Sequence, residues 1–413
     1  MTSRNLLGLL ALALCAWAED RLRLEDLIAG ALRANPEILA AQKRYEAARQ
    51  RPGQESSLPD PMLSLGYASS GSPRPFAGLG REPTANAGLM VSQEFPSPGK
   101  RKLRGEIAAK EADAEFQQYQ AVQLGVVSRL KQAWHRLRYA YSASEVLERR
   151  RDLLRQFLRA TEARYGVGKA QQQDVFKAQT QLSILETRLA KLAQERRSRG
   201  AELNSLLGRL VDSPLARPAE AQPAPLRVTL EELFQQARDR APMLQREEKM
   251  VQRAQLAVNL ARKEYYPDYT LSAGYYYMGA MPSMYMARVD FKLPAWFWRK
   301  QRAGVAEQAD SLSAARRNLE AAGQTLAFRL QDDYLMAETS WRLMEMYAGT
   351  VIPQSSLALQ SSLTAYETGG VDFLTVLANF ATTLDYELSY HEELQSYFLS
   401  LARLEEMTGA PLT

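Results

Sequence analysis

The sequence predicts a mainly α-helical protein with a small β part, and three observations support this fold class. The order of motifs in the first half of the 413-residue chain recurs in the second half, which indicates an internal duplication. Each half contains long segments with apolar residues at spacings of three and four, which predict helices. Each half also contains two short segments that alternate with period two, which predict strands. We therefore expect long antiparallel coiled-coil hairpins together with four strands.

The first 18 residues predict a secretory signal peptide. A basic residue, Arg4, precedes an apolar stretch that ends at a small-x-small cleavage site, Ala16-Trp17-Ala18. Cys15 is the only cysteine and lies in this segment, so a mature chain that begins near Glu19 would hold no disulfide. Alternatively, Cys15 is a lipid anchor, although a bulky residue, Leu14, stands where lipoprotein signals have a small one.

The duplication divides the remaining chain into two copies. Leu24-Glu25-Asp26-Leu27 in the first copy recurs as Leu230-Glu231-Glu232-Leu233 in the second. Residues 214–228 between them contain four prolines, which cannot continue a helix and predict an extended linker. We expect the first structural repeat to span residues 19–213 and the second to span residues 229–413.

Each copy predicts a long helical hairpin. Residues 100–164 contain no proline and keep an apolar seam, and a coiled-coil seam from Val175 to Leu192 follows a glycine-containing turn. In the second copy we expect a rod from about Trp296 to Tyr366 that turns at Gly369-Gly370. A helix of this length extends roughly 100 Å at about 1.5 Å per residue. Such rods must pack against other long helices, because no globular core of one chain could cover them.

The four predicted strands carry apolar residues on one face and polar or small residues on the other. Leu65 alternates with Ser64 in the first strand, and Phe291 alternates with Asp290 in the last. One face therefore suits lipid and the other suits water. The smallest membrane barrels need about eight strands, so four strands cannot close alone. We expect several copies to share one transmembrane β-barrel, which would have twelve strands in a trimer.

Residues that carry enzyme chemistry are scarce. The chain has two histidines, His135 and His391, and neither has a partner at metal-ligand spacing or a nearby nucleophile. We expect both on helix surfaces. The net charge of +5 comes from basic residues interleaved with glutamates on helices, without a nucleic-acid motif. The sequence predicts a protein that is not an enzyme and that has no cofactor, no bound metal and no nucleic-acid partner.

The mature chain resembles the TolC family of outer-membrane efflux proteins over essentially its whole length. The resemblance rests on the duplicated order of helix, strand pair and hairpin, and on three passages. These are Gln93-Glu94-Phe95-Pro96-Ser97-Pro98-Gly99-Lys100, Arg164-Tyr165-Gly166-Val167-Gly168 and Tyr366-Glu367-Thr368-Gly369-Gly370-Val371-Asp372-Phe373-Leu374. The resemblance implies a homotrimer in the outer membrane of a Gram-negative bacterium, with a twelve-stranded β-barrel in lipid and an α-helical tunnel in the periplasm.

The resemblance also implies partners and functional residues. In this family the hairpin turns form the tunnel tip, where a periplasmic membrane-fusion adaptor protein docks and an inner-membrane transporter, here favoured to be of the RND type, delivers substrate. The matching docking residues are Tyr165, Gly166, Val167, Gly168, Thr368, Gly369, Gly370 and Asp372. The matching gate residues are Asp174 and Tyr366. Val371, Thr375 and Ala378 replace the family's lock arginine and two aspartates, so we expect a less cation-selective aperture.

Two segments bear on the substrate. Pro98-Gly99-Lys100 and Asp372-Phe373-Leu374 are most similar to the heavy-metal branch of the family, the CzcC/CusC type, which implies export of metal cations. Four methionines in the predicted extracellular turn suit either copper binding or flexible packing: Met278, Met281, Met284 and Met286. Two alternatives stay open, an outer-membrane channel for type I protein secretion and, from another class, a periplasmic coiled-coil adaptor or scaffold.

Overall fold

The computed structural model describes residues 22–71 and 74–412, so the predicted signal peptide, residues 1–18, and Cys15 lie outside the described residues. The chain divides into two compact units. The helical unit contains residues 22–39, Val122–Ala241 and 326–412. The sheet unit contains residues 40–71, 74–121 and Pro242–Thr325.

The secondary-structure elements follow the duplicated order. The first copy contains α1 (Leu24–Ala34), α2 (Pro36–Ala48), α3 (Arg51–Ser56), β1 (Met62–Ala68), β2 (Asn86–Phe95), α4 (Lys100–Gly166) and α5 (Gln172–Leu206). The second copy contains α6 (Leu230–Arg240), α7 (Pro242–Lys263), β3 (Asp268–Met278), β4 (Met281–Lys292), α8 (Lys300–Met346), a π-helical turn (Tyr347–Val351), α9 (Ile352–Thr368) and α10 (Phe373–Thr408). The predicted fold class therefore agrees with the observed elements.

The two long hairpins share one apolar core in the helical unit. Buried residues from both copies form it: Val146, Leu147, Leu154, Phe157, Ala178, Leu185, Leu359, Tyr366, Phe373, Val376, Phe380 and Leu384. They come from α4 and α5 of the first hairpin and from α9 and α10 of the second, as the predicted coiled-coil seams require. Among the described helices, none has an apolar stretch that could cross a bilayer.

The second long rod is not the uninterrupted helix that the sequence predicted. Its helix ends at Met346, widens into the π-helical turn Tyr347–Val351, and continues as α9. Pro353 lies in the first turn of α9. Proline has no N–H to donate, and its ring clashes with the carbonyl four residues earlier, so a wider turn before it relieves both problems.

The sheet joins both copies. Its strand order is β1-β2-β3-β4 and every neighbouring pair is antiparallel. The pairs Leu65↔Leu89 and Leu89↔Tyr275 belong to the apolar face, whereas Ser92↔Ser272 belongs to the polar one. Cross-strand partners share a face, so the predicted alternation is confirmed. The outer strands, β1 and β4, have no further strand beside them in the described residues.

The predicted methionine-rich turn is wrong. The connection between β3 and β4 consists of Gly279 and Ala280, and Gly279 has a φ of +71°. Met278 ends β3, and the other three methionines lie within β4. Met284 pairs with Tyr276 and Met286 with Gly274. The prediction failed because a two-residue turn needs fewer residues than the sequence pattern suggested.

Candidate functional site

The two turns between the long helices have the same backbone. In the first, the N–H of Lys169 donates to the carbonyl of Arg164 at 2.8 Å and the N–H of Gly168 donates to Tyr165 at 2.9 Å. In the second, Gly370 donates to Ala365 at 2.8 Å and Gly369 to Tyr366 at 3.1 Å. Gly168 and Gly369 have φ values of +72° and +83°. Both helices therefore end in the Schellman motif, which needs a left-handed residue that glycine supplies without steric cost.

The helices that follow the turns begin with different caps. At the start of α5, the Asp174 carboxylate accepts the backbone N–H of Gln171 at 3.3 Å. At the start of α10, the Asp372 carboxylate accepts the backbone N–H of Thr375 at 3.0 Å and the hydroxyl of the same residue. These donors hold the pKa of Asp372 below its ordinary value. Asp174 and Asp372, predicted for the gate and for docking, thus both cap helices of their own hairpin.

Tyr366 is buried beneath the second turn. Its ring lies 5.2 Å from Phe157 and 6.3 Å from Phe373, measured between ring centroids. It is 5% exposed, and its hydroxyl has no hydrogen-bond partner within residues 22–71 and 74–412. A buried phenol normally finds a partner, so this hydroxyl is an unsatisfied polar group beneath the second turn.

Arg164, which the sequence analysis did not single out, connects the two turns. Its Nη1 donates to the carbonyls of Tyr366 at 2.7 Å and Glu367 at 2.8 Å. Its guanidinium carbon lies 4.6 Å from the centre of the Tyr366 ring. A cation at the carbonyl end of a helix is favourable because those carbonyls lack intrahelical donors. Only its place one residue before the turn could have signalled this role.

The surface of the first turn is more apolar than that of the second. Tyr165 is 46% exposed and Val167 is 69% exposed, and Phe176 of α5 is exposed close by in sequence. In the second turn the exposed docking residues are Thr368, Gly369, Gly370 and Asp372. Exposed apolar side chains that cluster at a helical turn favour a contact surface for another protein.

The three positions at the start of α10 present small uncharged side chains. Val371 is half-buried and packs against the shared core, while Thr375 and Ala378 are exposed. Thr375 and Ala378 are three residues apart and lie on one side of α10, whereas Val371 precedes the N-cap residue Asp372. Two of the three positions are therefore exposed to solvent in one chain.

Neither histidine offers a catalytic or metal site. His135 is buried, not on the surface as predicted, and its ring stacks on Phe398 of α10 with centroids 4.3 Å apart. Burial lowers the pKa of His135 well below its usual range, so the ring is neutral at pH 7. His391 is half-buried, and burial also lowers its pKa. No group of three or more His, Cys, Asp or Glu side chains in the described part of the chain could hold a metal ion.

Comparisons with known proteins agree with this architecture. The family described as Outer membrane efflux protein matches residues 27–209 and 233–410. Among solved structures, VceC of Vibrio cholerae is 18% identical with a TM-score of 0.81, covering 94% of this chain and 97% of that one. CusC is 16% identical with a TM-score of 0.78, covering 93% and 91%. MtrE of Neisseria gonorrhoeae in its open state is 19% identical with a TM-score of 0.75, covering 95% and 90%. No curated protein matches the sequence significantly.

Proposed function

Because the chain belongs to the outer membrane efflux protein family, it is a passive outer-membrane channel and not an enzyme, and we propose that three copies form the exit duct of a tripartite efflux pump. Members of the family are trimers that work with a periplasmic adaptor and an inner-membrane transporter. Their β-barrel lies in the outer membrane and their helices lie in the periplasm. The TolC-family resemblance predicted from the sequence is thereby confirmed.

The sheet carries this proposal. Apolar side chains on one face are exposed, among them Leu65 at 76%, Phe291, Val289 and Leu63. The outer strands β1 and β4 leave their backbone groups without a further strand in the described residues. Unpaired strand edges are not tolerated in hydrocarbon. Three copies of four strands would give twelve, which exceeds the roughly eight that the smallest membrane barrels need.

The exposed side chains of α8, the first part of the second long rod, support packing between subunits. Phe328, Leu335 and Met346 of α8 are exposed, at 69%, 49% and 53%. Helical geometry of about 3.6 residues per turn brings the three onto one face, because they are separated by 7 and 11 residues. A single chain leaves this stripe in water. A rod from a neighbouring copy would cover it, as expected for a tunnel made of shared helices.

We infer that Asp174 and Tyr366 form part of the gate at the tunnel tip. The free hydroxyl of Tyr366 and the half-buried carboxylate of Asp174 lie at the turns of different hairpins. A bond between such groups on neighbouring hairpins would hold the aperture closed, and opening would break it. The uncharged side chains of Val371, Thr375 and Ala378 would then line the aperture without selecting cations by charge.

We infer that an adaptor docks on the turns themselves. Tyr165 and Val167 provide exposed apolar contacts. Gly166, Gly168, Gly369 and Gly370 allow close approach of another backbone because they carry no side chain. Thr368 and Asp372 add polar contacts at the rim.

For the cargo, we propose metal cations exported by an RND-type transporter. The support is the similarity of Pro98-Gly99-Lys100 and Asp372-Phe373-Leu374 to the heavy-metal branch of the family. The fold neighbours include CusC, but a 16% identity extends only to the fold.

Planar-bilayer recording tests the channel and its gate. The protein should stay with the outer membrane until detergent is added, and after purification and reconstitution it should give discrete conductance steps. Asp174→Ala and Tyr366→Ala should raise the conductance, whereas Arg159→Ala, at an exposed site of α4, should not. A water-soluble protein without conductance would refute the channel. Unchanged conductance in both gate variants would remove Asp174 and Tyr366 from the lock.

A deletion strain tests the cargo. Complementation with the wild-type gene should restore resistance to divalent metal ions if the metal proposal holds. Restored resistance to dyes and drugs without any change for metals would refute it while leaving the channel intact.

A further inference from the structure

In the sheet unit, the two sequence copies are joined by ion pairs of a buried lysine, Lys100. Lys100, the first residue of α4, is 1% exposed. Its Nζ donates to the Asp268 carboxylate at 2.9 Å, to Glu264 at 3.2 Å and to the carbonyl of Tyr266 at 3.1 Å. Asp268 also accepts the backbone N–H of Ser97 at 2.7 Å. The first copy thus supplies the cation and the second copy supplies the acceptors, beside the paired strands β2 and β3.

The duplication gives Lys100 a counterpart in Lys300. Lys300 is the first residue of α8, as Lys100 is the first residue of α4. In both cases the preceding residue accepts the backbone N–H four positions on. Gly99 accepts from Leu103 at 3.0 Å, and Arg299 accepts from Ala303 at 3.1 Å. Both lysines therefore begin the long helix of their copy, although Lys100 follows Pro96 by four residues and Lys300 follows Pro294 by six.

Asp268 has a counterpart in Asp60. The segment Asp268-Tyr269-Thr270-Leu271-Ser272-Ala273-Gly274-Tyr275 aligns without gaps to Asp60-Pro61-Met62-Leu63-Ser64-Leu65-Gly66-Tyr67. The Asp, Leu, Ser, Gly and Tyr positions are the same in both. Each aspartate stands where a strand begins, Asp268 as the first residue of β3 and Asp60 two residues before β1.

Lys300 and Asp60 differ in exposure from Lys100, which is buried, and from Asp268, which is half-buried. Lys300 and Asp60 are both exposed, and neither side chain has a hydrogen bond or ion pair within residues 22–71 and 74–412. They adjoin the outer strands, because Lys300 follows β4 and Asp60 precedes β1. Lys300 and Asp60 thus have opposite charges, but they lie at opposite edges of the sheet within one chain.

We propose that Lys300 of one subunit binds Asp60 of a neighbouring subunit. The contact of β4 with β1 between subunits would then repeat the contact of β2 with β3 within one chain. This inference rests on the trimeric channel proposed above. Three such pairs close the ring of strands. Each would be shielded from solvent as Lys100 is, and removing one partner of a shielded pair leaves the other charge uncompensated.

The duplication also predicts the register between chains. Val91 precedes Pro96 by five residues, and Val289 precedes Pro294 by five. Ala273 and Leu65 each follow the aligned aspartate by five residues. Because Val91 lies opposite Ala273, Val289 should lie opposite Leu65 of the neighbouring subunit. Opposite residues of antiparallel strands have Cα atoms about 4.5 to 5.5 Å apart, which a disulfide can bridge.

The first experiment measures trimer dissociation in detergent during stepwise heating, followed by gel electrophoresis without boiling. Lys300→Ala and Asp60→Ala should each lower the dissociation temperature by roughly 5 to 10 °C. Arg302→Ala, an exposed basic residue two positions along α8, should leave it unchanged. The charge exchange Lys300→Asp with Asp60→Lys should recover most of the loss seen in either single reversal. Single variants that match Arg302→Ala, or an exchange without recovery, overturn the ion pair.

The second experiment tests the register by oxidation in the membrane. Leu65→Cys combined with Val289→Cys should give covalently linked chains up to the trimer. Leu65→Cys combined with Tyr285→Cys, four residues out of register, should not. Equal cross-linking of both combinations overturns the register. If the wild type forms conducting trimers but neither experiment responds, only this inference fails. If the wild type forms no trimer and no channel, the proposed function fails as well.

Discussion

In the first helical turn Tyr165 is 46% exposed, whereas Tyr366, at the equivalent place in the second turn, is 5% exposed. The backbones of the two turns make the same pair of carbonyl contacts and use a left-handed glycine at the same position. The difference comes from the neighbours. Arg164 reaches from the first turn to the carbonyls of the second, and its counterpart Ala365 has no side chain that could return the contact.

This difference teaches that the duplication preserves a backbone and leaves the side chains free to diverge. The first turn keeps Tyr165 and Val167 on the surface, which suits a contact with another protein. The second turn packs Tyr366 against Phe157 and Phe373, which suits a fixed element that a gate can move as a whole. The first turn therefore presents exposed side chains for contact, whereas the tyrosine of the second turn is packed among buried rings.

The largest expected effect comes from replacing the two tyrosines, which tests whether their different burial matters for stability. Tyr366→Ala should reduce local stability at the hairpin ends by about 3 to 5 kcal/mol, because it leaves a cavity between buried rings. Tyr165→Ala should cost less than about 0.5 kcal/mol, because the side chain is half in water. Amide hydrogen exchange of the last turns of α4 and α9 measures both. Equal losses of protection would show that burial does not distinguish the two turns.

The next effect concerns the connection between the turns. Arg164→Ala removes two charge-assisted bonds to carbonyls and a guanidinium–ring contact, so we expect a loss of about 1 to 3 kcal/mol in the protection of α9. Arg164→Lys should recover only part, because an ammonium lacks the planar fork of the guanidinium. Arg159→Ala serves as the control, since that side chain is exposed. A loss in the Arg159 variant as large as that of Arg164→Ala would argue against a specific connection.

A smaller effect should be the same in both turns. Gly168→Ala and Gly369→Ala should each reduce the local stability of the helix ends by about 1 kcal/mol, because alanine is strained at positive φ. An added Cβ meets no atom within 4 Å at Gly168 and only Arg164 Nη2 at 4.0 Å at Gly369. The strain is therefore in the backbone alone. Hydrogen exchange that differs strongly between the two variants would contradict the shared backbone motif.

The sequence could predict the features that repeat along the chain. The proline-free run from Lys100 defined α4, and period-two alternation defined the apolar face of the sheet, because burial on one side imposes those periods. The break at Tyr347–Val351 was missed, although Pro353 was its visible cause. A proline in a long apolar pattern is easily overlooked when the pattern continues on both sides.

The sequence could not predict contacts that depend on how many helices surround a rod. A seam at spacings of three and four identifies one covered face of α4, but α10 covers another, so His135 is buried against Phe398. The same reason hid Arg164, whose partners lie in the other copy. Sequence similarity pointed to Tyr366 as a gate residue, but its packing against Phe157 required the structure.

The smallest effect concerns the cap of the second hairpin. Thr375 donors lower the pKa of Asp372, so the folded state favours its carboxylate. A carboxyl with a lowered pKa contributes stability that is present above its ordinary pKa of about 3.9 and is lost as the pH falls through the lowered value. Gln171, at the equivalent position of the first hairpin, has no such titration. Asp372→Asn should keep a cap, because its amide oxygen still accepts the N–H of Thr375. Exchange protection at the start of α10 should therefore fall between pH 6 and pH 3 in the wild type more than in Asp372→Asn. If protection fell equally at low pH in the wild type and in Asp372→Asn, the fall would come from another carboxyl group. The caps of the two hairpins would then not differ in their pH dependence.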